Sequence, residues 1–132
     1  MKKLLLAASL AIVGAGAALA DPAEGMWKTE PGETGGYLHV NIATCGAALC
    51  GTIAAAYDKS GSKSSDYEHM GKKLLWGMNA DGGGKYSGGK IWAPDTDKTY
   101  KSKMSLSGST LSVRGFVGVS AFGRSQDWKR VN

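Results

Sequence analysis

Thr99-Tyr100-Lys101-Ser102-Lys103-Met104-Ser105-Leu106 runs into Ser107-Gly108-Ser109 and resumes as Leu111-Ser112-Val113-Arg114. Tyr100, Ser102, Met104 and Leu106 alternate with Thr99, Lys101, Lys103 and Ser105, which puts the lysines on one face. A period of two is that of a half-buried strand. Leu111 and Val113 continue the pattern against Ser112 and Arg114, and the glycine between the runs marks a turn. The segment therefore reads as two antiparallel strands.

The same signature extends outward. Leu38, Val40 and Ile42 alternate with Tyr37, His39 and Asn41. Pro31-Gly32, Gly35-Gly36, the glycine-rich stretch from Asn79 to Gly84, and Pro94 to Asp97 supply further turns. No stretch beyond residue 20 carries a convincing helical stripe. Eight strands are expected, near 25–29, 37–45, 50–57, 73–78, 85–92, 98–106, 110–116 and 123–131. Short hairpin-joined strands must hide their edges, and closure into a barrel does so completely; a β-sandwich is the competing architecture. Asp58 to Gly71 is long, polar and rich in Ser and Lys, and reads as a loop suited to a mobile flap.

Residues 1–20 carry the three parts of a cleavable signal peptide: Lys2 and Lys3, the apolar run Leu4 to Ala17, and the small-x-small site Ala18-Leu19-Ala20. The fourteen-residue run is short of the roughly 20 residues that cross a bilayer, so no transmembrane anchor is expected. Residues 21–132 then form a single domain, and the protein is expected to be periplasmic or secreted. Loss of the two lysines lowers the formal net charge from +5 to +3. The remaining cations are scattered, without a basic helix or an aromatic-basic comb, which argues against nucleic acid as a partner.

Cys45 and Cys50 are the only cysteines, and export makes a disulfide their default state. Four intervening residues do not fit a redox motif, and two ligands are too few for structural zinc. A bridge closing so short a loop contributes about 2 kcal/mol, and it would clamp the hairpin between the second and third strands.

Near the ends of the strand region stand Gly25-Met26-Trp27 and Trp128-Lys129-Arg130. The first tripeptide with the final arginine resembles the lipocalin and broader calycin pattern, which implies that Arg130 lies across the Trp27 face and plugs one barrel end. Gly88-Gly89-Lys90-Ile91, Pro94, Lys98-Thr99-Tyr100, Val113-Arg114-Gly115, Gly118, Phe122-Gly123-Arg124 and Gln126 make the likeness more specific. Over residues 25–131 the chain resembles the bacterial exported family known as domain of unknown function 2147. That resemblance implies an all-β, eight-stranded antiparallel up-and-down barrel of lipocalin-like form. It implies no established activity. Asp95-Thr96-Asp97 stands where the family pattern has a glycine, and Ser125 where threonine is usual.

No spacing matches a nucleophile elbow, a zinc-protease motif or a phosphate loop, and no cofactor is called for. Asp81-Gly82-Gly83-Gly84-Lys85 lacks the spacing of a phosphate loop and reads as a hairpin turn. Asp66-Tyr67-Glu68-His69 places three metal-ligating residue types in a polar loop, a pattern more often solvated than metal-bound. The expectation is a protein without catalytic or metal chemistry. Trp76, Met78, Trp92, Tyr100, Met104, Arg124 and Gln126 are the candidate lining of a site for a small hydrophobic or amphipathic molecule, an acid among the options. Arg124 and Gln126 share strand parity with Trp128, so the three should face inward together. Two alternatives stand beside this reading: an envelope interaction module with a filled barrel, and a metal-dependent enzyme using the Asp66 to His69 loop.

Overall fold

A computed structural model describes residues 20–131. Residues 1–19 of the segment expected as a signal peptide, residues 1–20, lie outside the described residues. The strands are β1 (Gly25–Lys28), β2 (Tyr37–Cys45), β3 (Ala48–Tyr57), β4 (Lys63–Ser64), β5 (Lys73–Gly82), β6 (Lys85–Ala93), β7 (Lys98–Ser107), β8 (Thr110–Phe116) and β9 (Arg124–Arg130). A 3-10 turn, Ser120–Phe122, precedes β9.

Every pairing is antiparallel. The ring runs β1-β2-β3-β5-β6-β7-β8-β9 and returns to β1, a closed eight-stranded barrel with no sandwich edge. The expected strands are all present. The addition is β4, two residues that pair Ala56 with Ser64 and Tyr57 with Lys63. It lies within the segment expected as a flap. That segment is tied into the wall: Gly71 N–H donates to Ile53 O and Ile53 N–H to Lys72 O, each at 2.9 Å.

One barrel end is closed by residues preceding β1. The Trp27 indole N–H donates to Ala23 O at 2.8 Å, and both residues are fully buried. Asp21 receives hydrogen bonds from Ala23 N–H and from the Tyr86 hydroxyl. The Arg130 guanidinium lies 4.3 Å from the Trp27 ring centroid and donates to Glu24 O and Pro22 O at 2.9 and 2.6 Å. Gly25 is required there: its φ is +127°, and a Cβ would come within 2.8 Å of Arg130 Nη1. This half is packed with side chains, among them Val40, Ile42, Ile53, Leu75, Met78 and Leu111. A disulfide links Cys45 to Cys50 across the β2–β3 hairpin of the same end, with Cα atoms 5.8 Å apart.

Candidate functional site

The other half of the barrel is open. Here the ends of β1, β3, β6 and β8 meet the beginnings of β2, β5, β7 and β9 around a cavity of about 1210 Å³. Leu38, Ala56, Leu74, Ile91, Tyr100 and Val113 give it an apolar wall, and Trp128 joins Val113 toward the packed half. Eight-stranded barrels have room for filled side chains or for one small ligand. This one is filled below and hollow above, so the filled-barrel alternative does not describe it.

The expected lining divides. Trp92, Tyr100, Arg124 and Gln126 line the cavity; Trp76, Met78 and Met104 do not. Met78 and Met104 are buried in the packed half, where Met104 opposes Tyr86 and Val113. Trp76 follows buried Leu75 and faces the other way by ordinary alternation. Leu75 pairs with Ile91 and Trp76 with Lys90, which turns Trp76 to the face opposite the inward-facing Leu75 and Ile91. Against β3 the strand gains one residue, Leu75 to Met78 spanning Gly51 to Leu49, with Gly77 at φ +70° between them, and Met78 returns to the interior. Simple alternation had placed Trp76 and Met78 on one face.

Trp92 is held from two sides. Lys72 Nζ lies 3.9 Å from a ring centroid, and His69 meets the indole edge-on at 4.9 Å. Its N–H donates to Asp97 Oδ1 at 2.8 Å. Tyr67, also in the wall, packs edge-on against His69. Burial, reinforced by Asp95 and Glu68, raises the Tyr67 pKa and keeps its phenol neutral. His69 is therefore engaged in aromatic packing. No group of three or more His, Cys, Asp or Glu side chains converges to hold a metal ion among the described residues.

Polar groups cluster at the mouth. Gln126 Oε1 accepts the Trp128 indole N–H at 3.0 Å, which leaves the Gln126 amide hydrogens available to the cavity. Arg124 is exposed, lines the cavity and has no carboxylate within 4.0 Å among the described residues. Three mouth carboxylates are committed to the chain itself. Glu30 accepts Asp127 N–H at 2.6 Å, Asp95 accepts Glu33 N–H at 3.4 Å, and Asp58 accepts from Ser60 and Ser62. The serine hydrogen bonds hold the Asp58 carboxyl below its ordinary range.

The loop between β1 and β2, residues 29–36, was legible only as a glycine-marked break. It crosses the mouth. Glu33 reaches Asp95 in the β6–β7 turn, on the far side of the strand ring from β1. Gly36 packs on the Tyr57 backbone and Gly35 on the Lys59 side chain, so the loop roofs the β2–β3 side. Tyr100, Phe116, Val117, Phe122 and Arg124 line the other side of the mouth. Tyr100 and Arg124 were expected in the lining; Phe116, Val117, Phe122 and the roofing loop were missed because they come from separate segments and share no sequence motif.

The family model described as "uncharacterized protein conserved in bacteria", domain of unknown function 2147, matches residues 25–130. Among solved structures, the chain is similar to protein HP1028 from the human pathogen Helicobacter pylori, described as belonging to the lipocalin family. The TM-score is 0.67 at 17% identity, covering 83% of this chain and 82% of that one. At that identity the likeness is one of fold. No curated protein matches the chain in sequence.

Proposed function

The chain belongs to the bacterial family of domain of unknown function 2147, and from that premise and the open barrel we propose that it is an exported, non-catalytic carrier of a small amphipathic molecule. The lipocalin-like fold is typically a binding fold. The observation that carries the reading is the half-hollow interior. A cavity of about 1210 Å³, apolar in its wall and polar at its mouth, has the anatomy of a small-molecule site. The signal-like residues 1–20 and the disulfide support an extracytoplasmic setting.

The ligand inserts its apolar body between Leu38, Ile91, Tyr100 and Trp128. Its acidic or strongly hydrogen-bonding end remains near the mouth, where Arg124 and the Gln126 amide donate to it. With no carboxylate within 4.0 Å among the described residues, Arg124 is the group best placed to receive an anion.

The test compares an alkyl carboxylate with its methyl ester by quenching of tryptophan fluorescence. Arg124→Ala weakens binding of the acid by about tenfold or more, as expected for a charge-assisted hydrogen bond. It changes binding of the ester much less. Equal losses for acid and ester would remove Arg124 from the recognition of a charged end.

A further inference from the structure

The connection between β8 and β9 carries three apolar side chains into water. Val117 is 71% exposed, Val119 57% and Phe122 83%. They are held there by structure. Arg114 Nε donates to Ser120 O at 2.7 Å, Nη2 reaches Ala121 O at 3.5 Å and Nη1 donates to Ser125 Oγ at 2.9 Å. Phe122 N–H and Gly123 N–H close the 3-10 turn onto Val119 O and Ser120 O. A braced loop with an exposed apolar tip marks an interaction site.

The adjoining outer wall is basic. Lys90 pairs directly with Lys101 and Lys103 with Arg114 across β6, β7 and β8, and Lys101 also opposes Phe116 at the base of the loop. Like charges placed opposite one another destabilise a sheet. Among the described residues no carboxylate lies within 4.0 Å of these cations. Glu30, Glu33, Asp58 and Asp95 are carried by the roofing loop and other turns of the mouth; the acids beside this wall are Asp81, which lines a groove with Lys103 and Arg114, and Asp127 on β9.

We propose that the Val117 to Phe122 loop docks the barrel onto an anionic lipid bilayer. The three apolar side chains enter the interface, while Lys101, Lys103 and their neighbours meet the phosphate headgroups. An apolar tip beside a cationic face is the pattern of interfacial anchors. Three protruding side chains are also far short of the roughly 1,200 Å² that a stable protein interface buries. Val117 and Phe122 line the cavity as well, so docking turns the portal toward the acyl chains. Docking itself needs no ligand in the barrel, and its test is therefore separate from that of the carrier reading.

The experiment is co-sedimentation of the protein with vesicles of mixed phosphatidylglycerol and phosphatidylcholine, against phosphatidylcholine alone. Binding is expected to the anionic vesicles and to weaken as salt rises. Val117→Ser, Val119→Ser and Phe122→Ser combined should reduce it about tenfold or more. Their exposure predicts an unchanged thermal midpoint, which verifies folding. Lys101→Gln should reduce binding to anionic vesicles alone. Three results would overturn the proposal: no sedimentation with anionic vesicles, sedimentation unchanged in the triple-serine variant, or self-association in solution abolished by those same substitutions.

Discussion

His39 shows how one residue can carry the pH response of the outer wall. Tyr37 and Tyr57 stack at 5.0 Å, His39 lies 4.6 Å from Tyr57, and Lys28 Nζ sits 4.5 Å above Tyr37. Burial, then the charges of Lys28 and Lys63, lower the His39 pKa below 6.5. The unfolded state consequently holds more protons than the folded state between the two values. His39 thus contributes stability above about pH 6.5, which is lost as the pH falls through its folded value. Urea denaturation across that window should show a smaller loss for His39→Gln than for the parent. Identical slopes would remove His39 as the cause. The alternation made Tyr37 and His39 neighbours on one face; their stacking with Tyr57 depended on a cross-strand register that the sequence did not specify.

Among the elements, strand existence was legible because alternation is local. Tyr100 to Leu106 and Leu111 to Val113 declare their buried faces within a few residues. Bulges were not legible. Gly77 resembled any strand glycine, yet it sits at φ +70° where the register against β3 shifts by one residue, so Leu75 and Met78 are both buried while Trp76 between them is not. The seam between β1 and β9 was accessible through Trp27 and Arg130, and it is short, with Lys129 opposite Lys28 and Arg130 opposite Trp27. Arg130 reinforces it by ring stacking and by two hydrogen bonds to backbone carbonyls. Arg130→Ala should lower unfolding stability by about 1–2 kcal/mol through lost stacking and stem packing. Chemical denaturation measures this directly, and a change below about 0.5 kcal/mol, typical of an ordinary surface substitution, would show that the seam does not depend on it.

For the whole molecule, barrel closure followed from the need to hide strand edges, but the division of its interior did not. Whether Met104 packs below a cavity or lines it depends on where the floor falls, and that is set by side chains from all eight strands. Arg124 and Gln126 illustrate the opposite case. Their shared parity with Trp128 sufficed to place all three on the cavity wall. The roofing loop and the apolar portal required distant segments to meet, and no local pattern encodes such a meeting. The resulting architecture has a sealed end, a packed lower half and an open upper half. In the proposed carrier function the open half holds the ligand. Native mass spectrometry of the protein purified from its native host tests it most directly. The carrier reading predicts a one-to-one mass increment that disappears on denaturation and decreases in Arg124→Ala. The bare polypeptide mass, unchanged after exposure to a native lipid extract, would contradict it.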